Sequence, residues 1–446
     1  MNIPENVRQI LEKLSIVDEA YLVGGCVRDF CMGTEPKDYD VVTNLKPEKV
    51  LELFGITAKQ VGKSFGVVIV DDIEIATFRK DVYFDGVHTK GADEVEYAET
   101  LKEDLARRDL TINAMAMDLE GNIYDPFGGI DDLNNSTLKM VGNPKERIVE
   151  DPCRILRLCR FASLFEETII ELRTKIAMVE YASGVQLVAK ERIRQELMKM
   201  MQYDNFTNSI SAMRDTKVLW YVMAPLMFCD GVRQNSHHAD DVITHCVLSS
   251  LAISGKKPLL RFAMLLHDVG KPYSATWNEE TKDRNFIGHE SVGSKIARAY
   301  MEDMRFSNED TDYVCELIRF HMFTIDFNTK PSAVRRLMSR FKYANIRDLV
   351  RVRIADRKGN RAKEGYPAIT QRTKHVIKLI RKIKIDDNAL KITDLKINGI
   401  TLMNMGLEQG PILGQILKMC LDIVIEDPSK NDKEILTKIV REEFSI

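Results

Sequence analysis

The chain has 446 residues, 44% of them hydrophobic and 29% charged, with a net charge of −3; this composition excludes wholesale disorder and leaves room for two to four domains. No apolar run reaches membrane-spanning length, the start "MNIPENVRQILEKL" has the spacing of an amphipathic helix, and the eight cysteines form no C-x-x-C pair. A cytoplasmic protein with reduced thiols, no secretory leader and no zinc knuckle is therefore expected.

From about residue 20 to 130, short β-branched runs ("YLVGG", "YDVVT", "GVVIV", "IEIATF") mix with helical pieces and glycine, as in an α/β or α+β unit. In "YLVGGCVRDFCMGTEPKDYDVVTN", residues 21–44, the period of a strand over "KDYDVV" puts Asp38 and Asp40 on one face. Two neighbouring carboxylates repel unless a divalent cation lies between them, and Mg²⁺ takes one or two carboxylates together with substrate phosphate oxygens. In a two-metal arrangement one ion activates an attacking hydroxyl and the other stabilises the leaving pyrophosphate. The strand in "DDIEIATF" offers Glu74 as a third carboxylate. Gly24 and Gly25 allow close backbone approach to a phosphate, and Arg28 adds a forked charge one turn later.

Residues 80–104 are polar and aperiodic, as a mobile loop is. In "ARRDLTINAMAMD", Arg108, Asp109 and Asn113 fall together; a carboxylate beside an amide suits a ribose 2′-hydroxyl, which donates and accepts, while a surface salt bridge at a helix start is the plainer explanation. In "EDPCRILRLCRFA", Asp151–Pro152 is a helix start, and Arg154, Arg157 and Arg160 recur along one drifting face. A fixed Asp acceptor beside a fixed Arg donor matches the amino donor and ring-nitrogen acceptor of cytosine and adenine. Uracil and guanine meet it with opposed groups, at about 1–3 kcal/mol for each buried mispaired group.

Taken together, "LVGGCVRDFCMGTEPKDYDVV", "ARRDLTINAMAMD" and "EDPCRILRLCRFA" resemble the class II tRNA nucleotidyltransferases, the CCA-adding enzymes and their bacterial poly(A) polymerase relatives. The resemblance implies an α+β fold: a DNA polymerase beta-like nucleotidyltransferase head with a mixed sheet, then an all-α neck, body and tail. Composition shifts put these at 1–140, 141–205, 206–384 and 385–446. It implies Mg²⁺ on Asp38 and Asp40, with Glu74 as a further catalytic carboxylate. Arg108 is implied to contact the nucleotide, Asp109 the sugar, Asp151 and Arg154 the base, and Arg157 and Arg160 ATP or CTP. The implied partners are ATP, CTP and the tRNA 3′ end, with neither DNA nor membrane. A flexible loop at 80–104 accompanies A addition in the family, and the tail is similar to one that holds the tRNA elbow. An A-adding or poly(A)-adding activity is the alternative within the family.

Six of the eight histidines lie between 237 and 321. "RFAMLLHDVGKP" places His267 and Asp268 side by side, so a shared metal requires the helix to end there, which Gly270 and Pro272 encourage. With His245 before and Asp356 in "RIADRKG" after, the order H…HD…D resembles the HD phosphohydrolase superfamily, over about 237–360. His289 and His321 are candidates for a second metal position. Imidazole and carboxylate together suit Mn²⁺, Fe²⁺, Ni²⁺ or Zn²⁺ and hydrolysis of a phosphomonoester or cyclic phosphate; histidines packed in a helical core are the alternative. A chain that is chiefly an HD phosphohydrolase, with a nucleotide-sensing head, is the competing reading of another class.

Residues 330–384 hold 18 Lys/Arg against three acids, leaving about −18 for the rest. Such an excess suits a polyanion held along its backbone, or else a solvated helix face.

Overall fold

The computed structural model describes residues 3–61, 66–83, 94–324, 326–385 and 389–444. The chain divides into two compact units, 1–227 and 228–446, and no helix of the described residues is long and apolar enough to cross a membrane.

The first unit opens with the expected amphipathic helix, Glu5–Ser15, which buries Val7, Ile10, Leu11 and Leu14 on one face. Each such side chain contributes about 1.5–3 kcal/mol relative to exposure. The sheet follows from the β-branched runs: β1 (Ala20–Val23), β2 (Asp40–Thr43), β3 (Ala58–Val61), β4 (Val67–Val70) and β5 (Ile73–Thr77). A hairpin of β6 (Arg79–Val82) and β7 (Glu94–Tyr97) stands apart, and β8 (Ala116–Met117) and β9 (Ile123–Tyr124) complete the sheet in the order β3-β4-β5-β2-β1-β8-β9. The sheet is mixed: β2 runs parallel to β5 and antiparallel to β1. Burial in β5 alternates, with Ile73, Ile75 and Thr77 inward and Glu74 outward.

Two local expectations change. The strand bearing the carboxylates starts at Asp40, and Asp38 lies in the bend before it. Regular structure also claims both flanks of residues 80–104, as β6 and β7 and as the Leu101–Ala106 helix, whose start is fixed by a Thr100–Glu103 capping box. The centre of the loop expected there, 84–93, lies outside the described residues. Beyond the sheet, the Cys153–Phe161 helix packs against Lys190–Met200 and Phe206–Asp215.

The second unit is helical. Val242–Leu251 packs on Pro258–Leu266 and Ile346–Gly359, and His289–Asp303 on Asn308–Phe320. "ALKITDLKINGITLMNMG" does not make the long helix its periodicity suggests. Asp394 accepts from the main-chain N–H groups of Leu390 and Lys391, and Asn398 caps a short new helix at Gly399–Met403. The apolar residues of that stretch instead fill a small core with Leu413, Ile416, Cys420, Leu436 and Val440. All eight cysteines are free thiols, seven of them buried.

Candidate active sites

In the first unit, parallel pairing sets Asp40 opposite Glu74 on adjacent strands. Asp40 opens into a cleft of about 510 Å³ that also reaches Gly24, Arg28, Arg108 and Asp109 and extends to Asp151 and Arg154. Desolvation raises the Asp40 carboxyl above its ordinary value; Arg108 opposes this, while Glu74 and Asp38 add to it. The surrounding protein removes much of the bulk solvent even though water reaches the side chain. Three mutually repelling carboxylates with only oxygen donors fit a hard cation such as Mg²⁺.

Gly24 is required twice over. Its φ is +74°, and a Cβ there would lie 2.6 Å from Arg108 Nη1, so a side chain would displace the arginine that borders the carboxylates. Asp109, Asn113 and Arg28 form one buried chain: Arg28 Nη1 donates to Asn113 Oδ1 at 2.7 Å, and Asn113 Nδ2 donates to Asp109 Oδ1 at 3.1 Å. Arg157 Nε donates to the other Asp109 oxygen at 2.6 Å. Burial works against the Asp109 charge, yet Arg157 and the hydrogen bonds from Asn113 and the Leu110 N–H hold its carboxyl well below the usual range.

Asp151 and Arg154 both line the cleft but are oriented by other residues. Both Asp151 oxygens accept from Arg192, at 3.0 and 2.6 Å. Arg154 donates to Arg147 O at 2.8 Å and to Glu150, and its Nη2 lies 3.1 Å from Tyr83 Oη. Burial pushes the Tyr83 hydroxyl up to about 12, so it stays protonated. Asp151 Oδ1 also accepts the Cys153 N–H at 3.1 Å, the capping contact read from the sequence, one residue later than placed.

Arg160 corrects an expectation. It is absent from the cleft lining; it is buried, donates to Glu196 at 2.6 Å and stacks on Phe161 at 4.1 Å. Three residues of helix advance 300°, so each arginine in the series falls 60° behind the last, and the third has drifted onto the packed side.

In the second unit the helix Pro258–Leu266 ends at His267, as the adjacent ligands require. Close approach then gathers the cluster: a Cβ on Gly270 would lie 2.1 Å from His289 O. His245 Nε2 is 3.1 Å from Asp356 Oδ1 and 3.6 Å from Asp268 Oδ2. His267 Nε2 is 3.3 Å from Asp268 Oδ2 and 4.0 Å from Asp356 Oδ1. Ligands at about 2.1 Å around one ion stand about 3.0–4.2 Å apart, so the spacing is that of a coordination shell. His267, His289 and His321 each direct Nδ1 at a main-chain carbonyl, of Met264, Phe286 and Ile318, at 2.6–2.7 Å. A carbonyl only accepts, so each Nδ1 carries a proton and Nε2 is the atom left to face a cation.

The Nε2 atoms of His289 and His321 then face each other at 3.3 Å, and burial holds the His321 ring neutral, down to about 3. Asp268 Oδ1 stands 3.2 and 3.7 Å from them. His267 Nε2 and Asp268 Oδ1, both buried, have no hydrogen-bond partner. A cation would satisfy every one of these acceptors. Two triads of ligand atoms share His267: His245–His267–Asp356 and His267–Asp268–His321. Lys271, not singled out from the sequence, bridges Asp268 and Gln234 at 2.6 Å each; its place four residues after His267 was the available signal. Arg192 and Tyr83 offered no such signal.

Residues 20–139 match the Poly A polymerase head domain, 169–228 a probable RNA and SrmB-binding site of polymerase A, and 237–358 the HD domain. A multifunctional CCA protein of Legionella pneumophila is 33% identical over 318 residues, which span 68% of this chain and 74% of the relative. A CCA-adding enzyme of Leuconostoc mesenteroides is 28% identical across 98% of this chain and 96% of its own. The crystal structure of the Bacillus stearothermophilus CCA-adding enzyme in complex with CTP superposes with a TM-score of 0.69 at 22% identity, covering 100% and 99% of the two chains, a likeness of fold. With this extent of sequence identity, and with a polymerase head and an HD domain in one chain, the protein belongs to the class II CCA-adding enzyme family.

Proposed function

We propose that the protein builds or repairs the 3′-terminal CCA of tRNA from CTP and ATP, without a nucleic-acid template and with release of pyrophosphate. The observation that carries this is Asp40, in register with Glu74 and repelled by it and by Asp38, opening into one cleft with Asp151 and Arg154. In this reading Asp38 and Asp40 hold Mg²⁺, with Glu74 as the neighbouring carboxylate. When bound, the ions supply charge neutralisation for the triphosphate and activation of the tRNA hydroxyl. Arg28, beside Gly24 and Gly25, and Arg108 orient the triphosphate, and Asp109, fixed by Asn113 and Arg157, takes the ribose. Asp151 and Arg154 read the base edge, the first positioned by Arg192 and the second by Tyr83. The 1–140 head and 141–205 neck carry this chemistry, while the 385–446 tail and part of the 206–384 body hold the tRNA. Incubating the purified chain with CTP and ATP on tRNA lacking one, two or three terminal nucleotides tests it; extension of the A-lacking substrate alone assigns an A-adding enzyme instead.

The facing ring nitrogens of His289 and His321 and the unpartnered His267 Nε2 and Asp268 Oδ1 favour a second activity. His245, His267, Asp268 and Asp356 hold one transition metal ion, Mn²⁺, Fe²⁺, Ni²⁺ or Zn²⁺, and His289 and His321 extend the set to a second. The metal supplies Lewis-acid polarisation of a phosphate ester; Lys271 adds a positive charge at the same place. Metal content of the purified protein and hydrolysis of bis-p-nitrophenyl phosphate test this, and absence of both leaves a structural domain.

A further inference from the structure

The HD pocket extends well beyond its ligand cluster. It encloses about 600 Å³, the scale of a small-molecule site, and much of its remaining lining is cationic. Arg353 reaches over Asp356 at 3.2 Å. One turn further along the same helix is Arg357, whose Nε donates to Pro367 O at 3.0 Å; that contact fixes the guanidinium without neutralising it. Lys363 and Arg372 complete the rim. Among the described residues, Arg357, Lys363 and Arg372 have no carboxylate partner within ion-pair distance, in contrast to Arg353 and Arg361. Burial lowers the Lys363 ammonium, Asp356 opposes, and the like charges of Arg357, Arg353 and Lys271 lower it further.

Thr370 and Thr373 line the same side at the start of the Gln371–Ile385 helix, which has no acidic residue in its first turn. That end of the helix adds positive potential. Unneutralised cations crowded around one cavity call for an anion other than the one the ligand cluster handles. Elsewhere on the lining, Ile287 is 85% exposed and Met322 49% exposed, apolar surface that a flat ring would cover. Lys363 and Arg372 lie after residue 358, where the HD domain match ends.

We propose that this rim is a second anion subsite, and that the HD site takes a nucleotide bearing two phosphate groups. One is a terminal phosphomonoester at the ligand cluster. The other is held by Arg357, Lys363 and Arg372, with the base against Ile287 and Met322. The inference rests on the hydrolytic reading of the HD site given above. In the reaction, water adds to the phosphorus of the terminal monoester, the P–O bond to the sugar breaks, the sugar oxygen takes up a proton released by that water, and orthophosphate leaves. The second phosphate is unchanged. Two sources share this chemistry, a free nucleoside bisphosphate and an RNA end carrying a 3′-phosphate.

The test uses the full-length chain and uridine ligands, because the head's base-reading pair opposes uracil. Binding of uridine 3′,5′-bisphosphate, of the 3′-phosphorylated dinucleotide UpUp and of uridine 3′-monophosphate is measured by calorimetry in chelator. Phosphate release from each is then followed with Mn²⁺. At least one ligand bearing two phosphate groups is expected to bind about tenfold tighter than the monophosphate, and whichever ligand shows the preference names the source. Arg372→Ala, at an exposed position, and Lys363→Ala are each expected to cut that preference by about threefold or more and to leave monophosphate binding alone. Equal binding of all three ligands, or a preference untouched by both variants, overturns the subsite even if all three are hydrolysed. A preference that survives in a protein releasing no phosphate upholds the subsite and overturns the hydrolytic reading.

Discussion

The two acidic clusters of this chain are opposites in construction. Around Asp40 the donors are oxygens only, Glu74 and Asp38 are exposed, and the nearby arginines already have carboxylate partners, Arg157 with Asp109 and Arg108 with Asp104. Around Asp268 the donors are mixed, buried and prefixed by main-chain carbonyls, and two acceptors have no partner. The first is half a site, which a nucleotide's phosphates complete as they arrive with their metal. In the proposed reading the second has its ligand set in place before any substrate enters. A hard ion that comes and goes with the triphosphate suits turnover at the head, whereas the HD cluster suits a resident ion.

Asp40→Ala should separate the two sites most clearly. Nucleotide addition, measured by tRNA extension, is expected to fall by about a thousandfold or more. The Tm of the variant should hold or rise, since Asp40 carries repulsion from Glu74 and Asp38, and phosphate-ester hydrolysis at the HD cluster should persist. Loss of both activities together would mean that the sites are not separable.

Chelation should act in the reverse sense. A resident ion at about a thousand times its Kd stabilises its fold by about 4 kcal/mol. Dialysis against a strong chelator should therefore lower the thermal stability of the second unit, while adding Mg²⁺ back restores nucleotide addition without restoring that Tm. A melting profile indifferent to chelator would remove the contrast. Glu196→Ala tests the reassignment of Arg160: leaving that buried guanidinium unpaired is expected to cost about 3–5 kcal/mol in chemical denaturation, a stability defect more than a change in nucleotide KM. Smaller is the effect of Arg154→Ala, which should relax selection of C and A over U and G by about 1–3 kcal/mol in the ratio of kcat/KM values. Arg192→Ala should do the same more weakly, because it orients Asp151 without facing the base.

Much of the head was legible because its chemistry is local in sequence. Gly24, Arg28, Asp38 and Asp40 fall within one strand–helix–strand stretch, and Glu74 was offered by a later strand, although its parallel register with Asp40 is seen only in the structure. Asp109 and Asn113 are four residues apart and bond directly. What escaped reading was pairing across distance: Arg160 with Glu196 and Asp151 with Arg192 are 36 and 41 residues apart, and no spacing rule joins them. Apolar periodicity failed at 389–405 because side-chain caps at Asp394 and Asn398 compete with the helix for main-chain N–H groups.

The basic segment 330–384 likewise divides in the structure. Arg335 is buried and donates to the carbonyls of Ile425 and Glu426 at the end of the Pro411–Glu426 helix. Arg353, Arg357 and Lys363 border the HD pocket. Charge counting cannot separate a helix cap, a pocket rim and a nucleic-acid face, because all three need cations.

The proposed function stands or falls with the pocket beside Asp40 choosing and joining nucleotides. The direct measurement is the 3′ sequence of a tRNA ending before CCA after exposure to the purified chain, Mg²⁺ and all four ribonucleoside triphosphates together. Ends reading CCA, absent when Asp40→Ala replaces the wild type, are the predicted result. Unextended ends, ends carrying U or G at comparable frequency, or extension that survives the substitution would contradict it.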